Sequence, residues 1–441
     1  MTAALPRLRV PEPGTAGRFL LILGVAVAQF ALAFGAIVEP KLTIAAIVAG
    51  FCLIMALIKP VPMLVLAFGA TFISYRVGPA ALDMSVTDAA TILGTVAAVP
   101  HVPWRDPRLR QIFFLLAFYL AMVSVSALRE PSVTAFGEVG HRALMVVGAL
   151  MIGSALARLG KAKLGLRAFL YVATFMSVVS IIYSVTSGFS PAYPFEFHKN
   201  AIGAHLATGV LIMLAGHNIV GFRKPVTLTV SAILLLGLLA SQSRGAALGL
   251  VAAAALYLTR SRNVKLARAA PFVGLLALVL LTFAILSFNS SQEENANSRF
   301  NSYNSRIEDY TYAIDNAFKP HIPFGNGPKW FHIAGSSGPH NVIVAELSET
   351  GVMGTSLFLV FLIAVALSLW RLKSDLGDVA VLVGVERFLD TMLGIFWVAG
   401  TGTVPWLMAG LAYGESSDEP LDDDEATAEV DDAPAEVGHT R

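Results

Sequence analysis

Charged side chains are scarce in this chain, and their scarcity excludes a soluble globular protein. Only 14% of the 441 residues are Asp, Glu, Lys or Arg, whereas an average soluble domain carries about 25%. Hydrophobic residues make up 56% of the chain, and its mean hydropathy is +0.69. This composition is typical of an integral membrane protein.

Cysteine is nearly absent, and so are the acidic pairs that usually bind a catalytic metal. The one cysteine, Cys52, lies within an apolar run, so no disulfide can form within the chain. The segments predicted to be external contain no Asp-x-Asp pair, and the run Asp422, Asp423 and Asp424 falls in a tail predicted to be cytoplasmic. We therefore expect neither a metal ion nor another cofactor.

Apolar runs that could each cross a hydrocarbon core of about 30 Å recur along most of the chain. They predict an all-α polytopic membrane protein with about 12–14 transmembrane helices. The first run is too long, and too closely followed by others, for a removable signal peptide. The predicted spans lie near 19–38, 42–59, 61–76, 87–103, 111–127, 142–158, 168–186, 201–222, 225–241, 245–259, 270–288, 341–370, 379–397 and 400–414.

The last two predicted spans are open to a second interpretation. Glu386, Arg387 and Asp390 fall inside the run at 379–397, and charged side chains are costly within a membrane. This run could instead be an amphipathic surface helix that is followed by one long span.

Basic residues collect at alternate ends of the predicted spans, and this pattern orients the chain in the membrane. Under the positive-inside rule the richer side is cytoplasmic, and the amino terminus lies inside. The predicted organisation is a cytoplasmic amino terminus at 1–18, a transmembrane bundle of about eleven spans at 19–288, a long external loop at 289–339, a motif helix with the last spans at 340–414, and an acidic, disordered cytoplasmic tail at 415–441.

The external loop is the one long hydrophilic segment between predicted spans. Within it, apolar residues recur at helical spacing from Ile307 to Phe318, which predicts one short amphipathic helix. The sequence Pro323-Phe-Gly-Asn-Gly-Pro328 then imposes turns. Because loops carry function more often than the scaffold that supports them, we expect this loop to contribute to a site.

His340 and Asn341 stand where the loop meets the next apolar helix. If that helix were continuous, Gly351 and Gly354 would lie about 20° and about 40° to either side of His340, on one face. The glycines would then let another helix approach closely. An unperturbed imidazole titrates near pH 6.5, so His340 could accept a proton at neutral pH, or it could be a simple interface residue.

Two arginines lie on the same predicted side. Arg244 follows a short turn, and its small neighbours leave space for a phosphate, which a guanidinium can bind through paired hydrogen bonds. It could also reach out to lipid headgroups. Arg306 stands at the start of the predicted loop helix, where a solvated surface charge is the plain alternative.

In combination these motifs resemble the O-antigen ligase and polymerase family. The resemblance rests on the sequence SQSRGA around Arg244, on Arg306 followed by the Pro-Phe-Gly-Asn-Gly turn, and on His340-Asn341 with the spaced glycines. Glu349, just before Gly351, and the weaker segment FHKNAIGAHLATGV are also similar to family members. The resemblance covers roughly residues 195–414.

The resemblance implies a so-called C-type, metal-independent glycosyltransferase in the bacterial plasma membrane. Such an enzyme takes a glycan from a polyprenyl diphosphate carrier and transfers it to a glycan or glycolipid acceptor at the external face, among membrane lipids and without nucleic acid. The implied catalytic residues are His340, Arg244 and Arg306. The implied substrate-binding residues are Asn341, Glu349, Lys199, Asn200 and Arg142, and the implied structural glycines are Gly351, Gly354, Gly325 and Gly327.

Other functions stay open from the sequence alone. Ligase, polymerase and protein-glycosylating members of the family share a donor and differ in the acceptor. A transporter or flippase of lipid-linked sugars is an alternative, which predicts paired halves and charged groups near the middle of the bilayer. The charges at 386–390 fit that alternative, whereas the chain shows no clear internal repeat.

Overall fold

A computed structural model describes residues 50, 54–56, 58–76, 84–260, 306–333, 338–394 and 397–416. The chain divides into two units, Met1–Ile58 and Lys59–Arg441. Almost all of the first unit lies outside the described residues, and so do the spans predicted at 19–38 and 270–288 and the tail beyond 416. The following description concerns the second unit.

The described part of the second unit consists of α-helices and loops, with one isolated β-bridge between Arg76 and Ser85. One helix, Val133–Arg158, includes a π-helical turn, Leu144–Gly148. The helices are α1 Pro60–Ala70, α2 Val86–Ala98, α3 Pro107–Ala127, α4 Val133–Arg158, α5 Ala162–Thr186, α6 Lys199–Ala215, α7 Lys224–Ser241, α8 Arg244–Arg260, α9 Val342–Arg371, α10 Asp375–Thr391 and α11 Val404–Ser416.

Within the described residues, helices α3, α4, α5, α7 and α9 are long and apolar enough to cross a membrane. Helices α1 and α6 are also apolar but shorter. These findings confirm the predicted fold class, an all-α polytopic membrane protein. The total of 12–14 spans stays a prediction, because several of the predicted spans lie outside the described residues.

Local sequence signals explain where several helices begin. Ser85 and Asp88 form a reciprocal capping box at the start of α2. Asp106 caps α3, whose first residue is a proline, and Ser132 caps α4. Asn341 accepts backbone hydrogen bonds at the start of α9, so it fixes the point at which the loop becomes helix.

Helix α4 begins earlier than its hydropathy predicted. The predicted span, 142–158, includes Arg142 but leaves out Glu138 and His141, whereas the helix starts at Val133. In the fold these side chains pair with opposite charges, so the helix can carry them inside the protein. Arg142 therefore lies within a helix rather than at an exposed helix end.

Helix α10 is buried in the bundle and is not a surface helix. It packs against α8, where Gly245 faces the carboxylate of Asp390 and Gly249 faces the backbone of Glu386. Glu386 is fully buried and Arg387 nearly so. The charged residues of α10 therefore point into the protein, and the number of membrane spans in the segment 375–416 stays a prediction.

Helix α9 is not continuous. Gly351 has φ +66° and ψ −169°, a conformation outside the helical region that favours glycine. The expectation that His340, Gly351 and Gly354 share one face of a regular helix is therefore wrong. The reason is that residues 322–327 of the preceding loop pack into this break.

Candidate active site

The turn after the loop helix is seated in the break of α9. Met353 and Val352 donate backbone hydrogen bonds to Pro323 and Ile322 at 3.2 and 2.9 Å. On the other side of the break, Asn326 and Gly327 donate to the carbonyls of residues 348 and 349 at 3.0 and 2.8 Å. We call this contact between residues 322–327 and the break at Gly351 the loop seat. It satisfies backbone groups that the interrupted helix leaves without partners.

The loop seat explains the glycines of the motif. A side chain at Gly351 would lie 2.5 Å from the backbone nitrogen of Phe324, and one at Gly325 would overlap the backbone of Glu349. Gly325 and Gly327 also have positive φ. Gly354 faces Thr350 of the preceding turn. The backbone that comes close to Gly351 is therefore that of the loop. The sequence predicts a second membrane helix at this position instead.

The predicted loop helix is present, but its buried face differs from the prediction. Residues 306–312 are helical, and a π-helical stretch, Ala313–Phe318, and a 3-10 turn, Lys319–His321, follow. Ala313 and Ala317 are buried, whereas Ile307 and Ile314 are exposed. The π-helical stretch has more than 3.6 residues per turn, so the regular spacing used in the prediction does not hold there.

His340 lies between the loop helix and the start of α6. Tyr310 of the loop helix donates a hydrogen bond to the His340 carbonyl at 3.2 Å. Burial, reinforced by the positive charge of Arg306, lowers the pKa of His340 below the usual histidine value, against the opposite effect of Asp309. Burial likewise lowers the pKa of His198, and Lys199 and His340 add to that effect.

Arg244 and Asn341 lie at the same end of the bundle, because each is close to the end of α10. Asn341 donates a hydrogen bond from its amide to the Met392 carbonyl, just after α10, at 3.2 Å. Two residues earlier, the carboxylate of Asp390 faces Gly245, the neighbour of Arg244. The Arg244 side chain is exposed, and Ser243 contacts Gly203 of α6. We call this the loop end of the bundle.

The loop end is electropositive in its backbone as well as in its side chains. Helices α6, α8 and α9 all begin here, and helix amino termini carry partial positive charge. Lys199 and Asn200 form the first residues of α6, and Arg244 is the first residue of α8. Together with Arg306, these groups suit an anionic ligand such as a diphosphate.

A second group of charged residues, four buried and one partly exposed, lies beside the loop seat. We call Glu138, Arg142, Lys329, Glu346 and Glu349 the ion cluster. The Arg142 guanidinium, only 1% exposed, donates to Glu346 at 2.8 Å, to Glu138 at 3.3 Å and also to Glu349. The ammonium of Lys329 lies 3.7 Å from Glu138. Three carboxylates thus surround one buried guanidinium, and the loop before α9 supplies a further cation.

Aromatic side chains complete the surroundings of the ion cluster. Tyr119 of α3 donates to Glu346 at 3.1 Å, and the indole of Trp397 donates to the same carboxylate at 2.5 Å. The Arg142 guanidinium lies 4.7 Å from the centre of the Trp397 ring, a cation–π contact. Thr350 adds a hydrogen bond to Glu346 at 3.2 Å. Glu346 is therefore fully buried and well satisfied.

The structure thus divides the predicted site residues into two groups. His340, Arg306, Lys199, Asn200, Arg244 and Asn341 lie at the loop end, whereas Arg142 and Glu349 belong to the buried ion cluster. The sequence analysis did not identify Glu346 or Glu138 as partners of Arg142. A signal was present, because Glu346 stands three residues before Glu349 and Glu138 four before Arg142, which are spacings that share a helix face.

Some buried polar groups of α10 and α6 have no partner within the described part of the chain. Both carboxylate oxygens of Glu386, the Nε atom of Arg387 and the Nε2 atom of His205 are without a hydrogen bond. Arg387 does pair with Asp390 at 2.6 Å. Among the described residues, no group of three or more His, Cys, Asp or Glu side chains is placed to hold a metal ion.

These features define a multi-pass, all-α membrane protein with a polar and basic site at one end of its helices. Residues 229–359 match the family model described as O-antigen ligase, and the match supports the assignment to the O-antigen ligase family. The matched segment includes Arg244, Arg306, His340, Glu349 and Gly351. No curated protein sequence matches the chain.

Proposed function

We propose that the protein is a glycosyltransferase that moves a glycan from a polyprenyl diphosphate carrier to an acceptor hydroxyl at the external face of a bacterial plasma membrane. The observation that carries this proposal is the grouping of His340, Arg306, Lys199 and Arg244 at one end of the bundle, where three helices begin. A diphosphate anion and a hydroxyl that must lose a proton would both find suitable groups there.

In the proposed reaction the acceptor oxygen attacks the anomeric carbon while the bond from that carbon to the diphosphate oxygen breaks. The hydroxyl proton passes to the His340 imidazole, and the configuration at the anomeric carbon inverts. A lowered pKa keeps His340 neutral and able to accept this proton at neutral pH. An alternative role is that protonated His340 orients the diphosphate.

Arg244 and Arg306 would stabilise the negative charge that develops on the leaving diphosphate. Lys199 and Asn200, at the start of α6, would bind the headgroup of the donor beside them. Asn341 would fix the position of His340, because its side chain caps α9 and also bonds to the end of α10. No step of this mechanism requires a metal ion.

A reconstituted system tests the class of reaction. Purified protein in liposomes, with a lipid-linked oligosaccharide and defined hydroxyl acceptors, should form a new glycosidic bond that mass analysis detects, with or without a chelator. The acceptor that gains mass distinguishes ligase from polymerase activity. Absence of any product with every acceptor, under conditions in which the protein is folded, would overturn the proposal.

A transporter or flippase is the second candidate, and one observation favours it. Glu386, Arg387 and Asp390 are charged and buried inside the bundle, as expected for a pathway through a membrane protein. Under this alternative the donor would move between leaflets of the liposomes without any change in mass. The same preparation therefore separates the two functions, because only the glycosyltransferase changes the covalent structure of the acceptor.

A further inference from the structure

The ion cluster and the loop seat meet at one residue, Glu349. Its carboxylate accepts hydrogen bonds from the Arg142 guanidinium and from the Lys329 backbone at 3.0 Å. Its backbone carbonyl accepts the Gly327 hydrogen bond of the loop seat at 2.8 Å. If Glu349 moves, the loop residues Gly327 and Lys329 that it bonds to must therefore move with it.

The loop seat in turn determines where the loop helix lies. Asn326 of the seat donates from its amide to the Ala317 carbonyl at 2.7 Å, and the Ser348 hydroxyl lies 3.3 Å from the Ala313 carbonyl. Both carbonyls belong to the π-helical stretch that continues the helix starting at Arg306. At its other end this helix contacts the His340 backbone through Tyr310.

We propose that Arg142 and Glu349 are positioning residues for glycan transfer, which hold the external loop in its seat and thereby hold Arg306 beside His340. This inference rests on the proposed function for its catalytic consequence. It differs from the expectation that Arg142 and Glu349 bind substrate, since the guanidinium is buried and already bonded to three carboxylates.

The charge balance of the ion cluster explains why Arg142 should have this effect. Loss of its charge leaves Glu138, Glu346 and Glu349 buried together, with Lys329 and the His141 ring both facing Glu138 rather than the other two carboxylates. Uncompensated buried charges are strongly destabilising, so the three carboxylates would separate, protonate or recruit water. Two of them stand on α9 just before Gly351, at the rim of the loop seat.

A labelling experiment measures the loop seat without any activity assay. Ser348 is fully buried beneath the loop, and Ser348→Cys in a Cys52→Ser background introduces one thiol of nearly the same size. We expect Arg142→Gln and the milder Glu349→Gln each to increase the rate of maleimide labelling at this thiol by at least about tenfold, because the loop leaves its seat more often.

Arg260→Gln is the matched control. Arg260 is also a buried arginine paired with a carboxylate, Asp378, but it bonds to the carbonyls of residues 370 and 372 at the other end of α9. Its loss should leave the labelling rate unchanged. Equal labelling of the parent protein and both cluster variants would overturn the inference.

A disulfide staple separates positioning from substrate contact. Ile322 and Val352 are both exposed, and they are joined by a backbone hydrogen bond across the loop seat. The pair Ile322→Cys and Val352→Cys, in the Cys52→Ser background, should form a disulfide that holds the loop and leaves transfer intact. We expect Arg142→Gln to lose about 100-fold in transfer rate, and the oxidised staple to restore most of it.

The outcomes of the staple experiment are distinct. If the transfer rate of Arg142→Gln recovers when the disulfide forms and falls again when the disulfide is reduced, the positioning role is supported. If the disulfide forms but the transfer rate does not recover, Arg142 acts on the substrate or the reaction itself. If the parent protein transfers no glycan, the proposed function fails, but the labelling rates still decide whether Arg142 and Glu349 hold the loop.

Discussion

At the scale of single residues, the surroundings of His340 decide what its imidazole can do. Burial is the largest cause of its lowered pKa, and the positive charge of Arg306 acts in the same direction. A histidine that must accept a proton at neutral pH benefits from both effects, because its neutral form is then the dominant one. In the proposed reaction the same arginine would also stabilise the leaving diphosphate, so it would serve two purposes.

The pH dependence of transfer follows from this arrangement. If neutral His340 is the base, activity should fall as the pH drops through a pKa that lies below the usual histidine value of about 6.5. Arg306→Gln removes a positive charge, so it should move the acid limb of kcat/KM to higher pH as well as lower the rate. A profile measured from pH 5 to 9 checks both effects. An acid limb that stays in place in Arg306→Gln would show that His340 is not the titrating base.

At the scale of structural elements, the break in α9 is the feature that the sequence analysis misinterpreted. The glycines are visible in the sequence, but the spacing predicts a regular helix in which Gly351 serves helix–helix packing. The decisive information is the positive φ of Gly351 and its contact with residues 323–324, far away in the chain from the glycine. Helical periodicity reflects only residues that are close in sequence. It therefore cannot predict that a loop distant in sequence supplies the backbone hydrogen bonds at the break in α9.

Two glycines therefore differ in their tolerance of alanine. Gly351→Ala places a side chain against the Phe324 backbone in a conformation that only glycine adopts readily, and it should destabilise the protein by about 1–3 kcal/mol or more. Gly384→Ala in α10 is the control, since a side chain there meets nothing within 4 Å. It should be neutral or slightly stabilising. Thermal unfolding in detergent measures both, and similar losses in the two variants would contradict the loop seat.

At the scale of the whole molecule, composition and hydropathy predict the class of fold, because a helix that crosses a membrane must be long and apolar. Five predicted spans, including 111–127 and 225–241, correspond to helices that are long and apolar enough to cross a membrane. The grouping of His340, Arg306 and Arg244 came from motif spacing and family resemblance. The ion cluster could not be predicted in the same way, because Arg142 pairs with residues more than 200 positions further along the chain.

The charged residues of α10 are a second feature whose surroundings the sequence alone could not predict. A hydropathy profile cannot tell whether Glu386 and Arg387 face lipid, water or protein, so two topologies were possible for the end of the chain. The packing of α10 against Gly245 and Gly249 of α8 shows that this helix is buried against protein, whereas the number of spans at this end of the chain stays a prediction. Small residues that permit this close approach were visible in the sequence, but their partner was not.

The central claim is that His340, Arg244 and Arg306 form one site for glycan transfer. The most direct test is the rate of product formation in liposomes by His340→Ala, Arg244→Ala and Arg306→Ala, with Lys319→Ala as a control on the same loop. Lys319 is exposed and pairs only with its neighbour Asp315 in the described part of the chain, so its loss should not affect transfer. We expect losses of at least about 100-fold in the first three variants at unchanged folding and abundance. Full activity in any of them would show that the three residues do not form one site.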